Sequence, residues 1–211
     1  PFALVLLTMG MESSYFRFTA KDDSASWQKK VFDTAWGITS LAAALFFALV
    51  ALLRGPLSHA MGPAYEQHPE YVVLVGLIIL FDVWSCIPFS RLRQQGRAMT
   101  FVGIKCLNVT VNVALALLFG FVGLYDGEFG VGWVFVANLA ASVLTFFVIL
   151  TTGTGIFPKI DWRLLVSVFS YSIPLLVGGI AGTANEFIDR QFIKYLVPQG
   201  GDAMAHRRPA E

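Results

Sequence analysis

The chain has 211 residues, of which 56% are hydrophobic and 14% charged, with a formal net charge of +1. Soluble domains carry about 25% charged residues, so this balance excludes an ordinary soluble domain and leaves no basic footprint for nucleic acid. Apolar runs of about 20 residues recur without the alternating short strands of a membrane barrel, which makes the expected fold all-α, a polytopic transmembrane helix bundle.

Taken in order, Pro1 to Met9 is apolar but too short to span, and reads as the tail of a helix. Gly10 to Lys30 is polar and mixed in charge. Within it, Tyr15, Phe16 and Phe18 stand beside Glu12 and Arg17, which predicts an interfacial element at the headgroups. The first full span is Val31 to Leu53, with Asp33 near its start, and Arg54-Gly-Pro56 stops it. The second is Tyr71 to Ser90, holding Asp82 and Pro88. The third runs from Met99 to Phe121 and contains Lys105, Asn108 and Asn112. The fourth, Val131 to Leu150, places Asn138, Ser142 and Thr145 along one stripe. Residues 151–158 form a Thr/Gly linker, and Asp161 to Ser172 reads as a short amphipathic approach helix.

The final span, Pro174 to Leu196, is unusual. It is uncharged from Leu175 to Ala184 and then carries Asn185, Glu186, Asp189, Arg190 and Lys194. Asn185 falls at the centre of that span, and ionisable groups at such depth normally face a protein interior or a wet cavity. Glu186 and Arg190 stand four apart with glutamate first, the favourable order for a pair. Asp82 and Lys105 lie at matched depth on antiparallel spans, which predicts a direct or water-bridged ion pair. Asn108 and Asn112, one turn apart, are expected either to bond a neighbouring helix or to line a cavity.

Basic residues fix an orientation. Arg17, Lys21, Lys29, Lys30, Arg91, Arg93, Arg97, Lys159 and Arg163 fall in one set of loops, and only Arg54 in the other. The first set is expected on the cytoplasmic side, with Trp36, Trp84, Trp133 and Trp162 as interfacial aromatics. No Ser/His/Asp set, phosphate-binding loop or paired-cysteine motif is present, so neither an enzyme nor a cofactor is expected. Cys86 and Cys106 read as buried free thiols. His59, Glu66, His68 and Glu70 share one loop whose spacing fits no helical ligand pattern, so it reads as solvated rather than metal-binding.

Three stretches resemble a known family. Gly10 to Phe18 (GMESSYFRF) resembles the loop after the second helix of bacterial polysaccharide biosynthesis flippases. Ile87 to Arg93 (IPFSRLR) looks like the end of their fourth helix. Tyr171 to Leu176 (YSIPLL), Gly182 to Arg190 (GTANEFIDR) and Lys194 to Pro198 (KYLVP) are similar to their seventh. The match is to the oligosaccharidyl-lipid branch, which is related to the multidrug and toxin extrusion transporters.

The resemblance implies two six-helix lobes around a central cavity. Residues 1–160 would hold the end of helix two and helices three to six. Residues 161–198 would hold an approach helix and the first helix of the second lobe, and 199–211 a polar tail. It also implies transport of an undecaprenyl-diphosphate-linked oligosaccharide across the bacterial inner membrane, alongside membrane lipids and polysaccharide assembly enzymes. Arg190, Lys194, Asn185, Glu186, Asp189, Asn108, Asn112 and Asn138 would be its cavity candidates, with Arg190 meeting the diphosphate. On this mapping the chain alone would not transport.

Other readings stand beside it. In a cation-coupled exporter of small molecules, Asp82, Glu186 or Asp189 would bind the ion. A membrane glycosyltransferase or polymerase would need reactive carboxylates and basic residues on a large outer loop, and the outer loops here are short. A non-transporting scaffold subunit is a further reading.

Overall fold

The computed structural model describes residues 2–8, 10–61, 68–123, 129–153 and 160–196. The tail at 199–211, Glu66, and most of the 125–130 turn and the 151–158 linker lie outside the described residues. So do the side chains of Glu186, Asp189, Arg190 and Lys194.

Among the described residues all regular structure is helical. The elements are α1 (Phe2–Thr8), α2 (Met11–Thr19), α3 (Ala25–Leu52), α4 (Arg54–Met61), α5 (Glu70–Gln94), α6 (Ala98–Phe121), α7 (Gly132–Leu150) and α8 (Trp162–Leu196). Five of these are long and apolar enough to cross a membrane: α3, α5, α6, α7 and the Trp162–Gly182 part of α8. The protein is a polytopic membrane helix bundle.

Helix α5 is its centre, packed on α3 along one side and α7 along the other, with α6 covering α7. Gly76 of α5 makes the α3 contact close, since a Cβ there would stand 3.1 Å from Val50 Cγ1. Helices α3 and α5 run antiparallel, and two tryptophans lock them. Trp36 Nε1 donates to the Trp84 carbonyl at 2.9 Å, and Trp84 Nε1 donates to the Ser40 carbonyl at 3.1 Å. The Trp84 carbonyl is available because Pro88, four residues on, has no N–H to fill it. Trp36 is thus buried in the bundle, held by the backbone acceptor that α5 offers it. Trp162 remains exposed at the helix end.

Helix α2 differs from the expected surface-lying element. Met11, Ser14, Tyr15 and Phe18 recur at helical spacing and are buried against α3, α5 and α8. Gly10 makes the turn into it with φ 64°, where a Cβ would also meet Leu175 Cβ at 2.9 Å. Ser14 and Ser172 hydroxyls meet at 2.6 Å, tying α2 to α8. Burial pushes the Tyr15 phenol up to about 12, with nearby Arg91 offsetting part of the effect.

Helix α8 is continuous through Pro174, where an approach helix followed by a separate span was expected. Its first residues sit level with the start of α3: the Asp161 N–H donates to Thr34 Oγ1 at 3.2 Å, and Lys30 Nζ lies 3.3 Å from Asp161 Oδ2. The Asp161 carboxylate also caps the helix, accepting from the Arg163 and Leu164 amides. These amide bonds, the Leu164 one foremost, and the Lys30 ammonium hold its carboxyl below the usual aspartate range.

Candidate functional site

The polar residues of α5, α6 and α7 converge on one cleft of about 480 Å³. The Asn138, Ser142 and Thr145 stripe of α7 forms one wall. Lys105 and Asn108 of α6 form the second, Asp82, Cys86 and Arg93 of α5 the third, and Glu12 of α2 closes an end. The short loop between α5 and α6 makes them antiparallel, so Asp82 and Lys105 come to similar depth from opposite directions.

Hydrogen bonds across the helices fix the wall. Asn108 Nδ2 donates to Thr145 Oγ1 at 2.8 Å, and one turn along Asn112 Nδ2 donates to Asn138 Oδ1 at 3.2 Å. Ser142 Oγ donates to Asp82 Oδ1 at 2.9 Å, joining α7 to α5. Bonds of this kind within membranes contribute about 0.6 kcal/mol each on average, so their main effect is to hold the amides in place. Asn108 therefore does both things expected of it, bonding a neighbouring helix and lining the cleft, and Asn138 lines the cleft beside it. Asn112 supports Asn138 from behind.

Of the direct or water-bridged contact expected between Asp82 and Lys105, the direct form is not among the ion pairs of the described residues. Both line the same cleft, but Asp82 is engaged by the Ser142 hydroxyl, and the Lys105 ammonium rests 4.3 Å above the Phe89 ring. The aromatic face supplies part of the stabilisation that a carboxylate would otherwise give.

Glu12 and Arg93 form the ion pair that the cleft does contain, with Arg93 Nη2 to Glu12 Oε2 at 3.2 Å. The Cys86 thiol donates to Glu12 Oε1 at 2.9 Å, so this half-buried thiol is a cleft residue rather than an inert core one. Arg93 also donates to Ser90 Oγ at 3.1 Å. The role of Glu12 was hidden in the sequence, because α2 looked interfacial. Its buried face of Met11, Ser14, Tyr15 and Phe18, at spacings of three and four, was the available signal.

Of the α8 candidates, Asn185 is not among the described residues that line this cleft. Asn185 is exposed, and the side chains of Glu186, Asp189, Arg190 and Lys194 lie outside the described residues. The register also moves Asn185. Asp161 is level with Thr34 near the start of α3, and Asn185 lies about 36 Å further along α8 at 1.5 Å per residue. That exceeds a hydrocarbon thickness of about 30 Å, so Asn185 is not at the middle of a span.

Near the opposite end of α5, His68 Nδ1 and Glu70 Oε1 lie 3.0 Å apart. Among the described residues no group of three or more His, Cys, Asp or Glu is arranged to hold a metal ion. Comparison of the chain with protein-family models, curated proteins and solved structures finds no match.

Proposed function

We propose that this chain forms part of the translocation path of a lipid-linked oligosaccharide flippase in the bacterial inner membrane. The α5–α6–α7 cleft would receive the polar headgroup while the lipid tail stays in the bilayer. The observation that carries this reading is the polar wall of the cleft: Glu12, Asp82, Arg93, Lys105, Asn108 and Asn138 line one space between apolar helices. Charged and amide groups at such positions are costly, and they are retained where a hydrated or charged cargo passes. A diphosphate needs cationic partners, which Arg93 and Lys105 provide, and a sugar needs amide and hydroxyl partners, which Asn108, Asn138 and Ser142 provide. The resemblance of Gly10–Phe18, Ile87–Arg93 and Tyr171–Pro198 to the oligosaccharidyl-lipid branch supports the same reading.

The test is restoration of surface polysaccharide in a strain lacking its flippase, by the protein expressed at its natural length. Lys105→Ala combined with Asn108→Ala is expected to reduce restoration at least tenfold (about 1.4 kcal/mol) at unchanged membrane abundance. Full restoration by that variant would overturn the assignment of the cleft.

A second reading, a cation-coupled exporter, is favoured by one observation: Asp82 lines the cleft with its carboxylate held by Ser142. In that case Asp82→Asn would abolish proton- or sodium-dependent drug efflux and leave polysaccharide export untouched.

A further inference from the structure

At the end of the bundle opposite Arg93, aromatic rings join the three helices that form the cleft. Tyr71, at the start of α5, is buried and is their hub. Its ring meets Phe129 edge-on at 5.5 Å and Phe135 of α7 at 5.7 Å, and the His68 ring stacks on it at 4.9 Å. Phe129 meets Trp133 of α7 at 5.6 Å, and Trp133 meets Phe119 of α6 at 5.1 Å. Helices α5 and α7 approach closely here because Gly132 has no side chain: a Cβ on it would stand 2.6 Å from the Tyr71 ring.

The cleft stops short of this level. Counted from the Arg93 end its deepest residues are Asp82, Asn108 and Asn138, and among the described residues none of its lining comes from 71–81, 109–121 or 132–137. Next to it lies the Asn112–Asn138 bond, and Trp133 follows about 7 Å beyond Asn138 along α7. At the other end the cleft is open. Arg93 stands in the last turn of α5, and its side chain and that of Glu12 are 42% and 40% exposed.

One bond in the ring cluster can break at little cost. The Tyr71 hydroxyl donates to the Phe129 carbonyl at 2.6 Å, and the same carbonyl accepts the Gly132 N–H at 2.8 Å. The carbonyl therefore stays satisfied when the tyrosine leaves, which avoids the usual penalty of an orphaned acceptor.

We propose that the Tyr71–Phe129–Trp133 cluster is a plug that shuts the cleft at this end, so that the cleft is reached from the Arg93 end alone. The Tyr71 bond is the latch that parts when the contents of the cleft leave past Asn138. The shut end is independent of any cargo, and the latch rests on the reading of the cleft as a translocation path. Rings that merely tied the helix ends together would leave access to the cleft unchanged when they are truncated.

The accessibility of one cysteine tests this. Asn108→Cys is placed in the chain at its natural length with Cys86→Ser and Cys106→Ser. In separate chains Arg54→Cys and Arg97→Cys mark the two sides of the membrane. A charged, membrane-impermeant thiol reagent is expected to modify Asn108→Cys at least about tenfold faster from the Arg97 side than from the Arg54 side. Tyr71→Phe removes only the latch bond and should raise the Arg54-side rate about fivefold, the worth of one hydrogen bond. Trp133→Ala removes the ring between Phe119 and Phe129 and should raise it further. Matched unfolding temperatures establish that the variants fold, and Tyr71→Phe keeps its ring packing should Trp133→Ala fail to. Equal rates from the two sides in the parent, or an unchanged Arg54-side rate in Trp133→Ala, would overturn the plug. An unchanged rate in Tyr71→Phe would overturn the latch. No cargo takes part, so these results do not depend on whether the chain restores polysaccharide.

Discussion

Asp161 concentrates several interactions on one side chain. Its Oδ1 accepts two helix-end amides and its Oδ2 faces Lys30. The Leu164 amide first, and then Lys30, lower its pKa in the folded state. Its stabilisation is therefore complete above the unfolded aspartate value of about 3.9, and it is lost as pH falls through the lower folded value. Asp161→Asn keeps a capping oxygen but not the charge. Its unfolding temperature in detergent should fall below wild type at neutral pH, and the gap should close as the pH drops below about 4. A gap independent of pH would refute the charge argument. The Glu12–Arg93 pair calls for a smaller number, because both side chains are over a third exposed. A double-mutant cycle with Glu12→Gln and Arg93→Gln should return about 0.2–1 kcal/mol of coupling. At this scale the sequence was readable where the signal was periodic. The Asn138, Ser142 and Thr145 stripe could be seen as a single face, and that face lines the cleft. Glu12 could not be assigned, since its partners, Cys86 and Arg93, are distant in sequence and only the packing of α2 brings them near.

Among the elements, the contact of α3 with α5 rests on a vacancy in a helix ladder. Pro88 leaves the Trp84 carbonyl without an intrahelical donor, and Trp36 supplies one from outside. Trp36→Phe should therefore cost about 1–3 kcal/mol from the unsatisfied carbonyl, in addition to lost packing. In a Pro88→Ala background the alanine N–H can take that carbonyl, so Trp36→Phe should cost less there. Equal costs in the two backgrounds, measured by denaturant unfolding in mixed micelles, would show that the proline is not what frees the acceptor. Helix extents were easier to read than helix relations. The spans of α3, α5, α6 and α7 follow from mainly apolar runs, each with only a few polar residues, bounded by Arg54-Gly-Pro56, Gly96 and Gly130. Helix α8 misled because Pro174 looks like a first-turn residue. Proline within a membrane helix is tolerated where neighbours accommodate the freed backbone, and nothing local distinguishes the two uses.

For the molecule as a whole, the two ends differ in charge. Lys30, Arg91, Arg97 and Arg163 gather at one end, where Arg91 donates to the Gly153 carbonyl and Arg97 to that of Thr152. Arg91 also lies 4.6 Å over Phe32, so the basic end is anchored on the bundle as well as turned to the headgroups. Single cysteines at Lys29 and Arg97 should label from the cytoplasmic side, and one at Arg54 from the opposite side. Labelling of all three from one side would overturn this topology. The order of the spans α3, α5, α6 and α7 could be read from hydropathy alone. The convergence of α5, α6 and α7 on one cleft could not, because it depends on how far each helix is rotated about its own axis. The length of α8 has a mechanical consequence. Among its described side chains the buried ones, Leu164, Leu165, Val168 and Ser172, all lie in its first third. From Ser172 to Leu196 the helix extends about 36 Å. A rotation of about 10° at that anchored third sweeps the tip sideways by about 6 Å, more than the 5.4 Å pitch of a helix. Helix α8 thus reaches far beyond its buried third, with α1 and α3 packed on it as well as α2, so a tilt where Ser14 meets Ser172 would be magnified toward the end that carries Asn185.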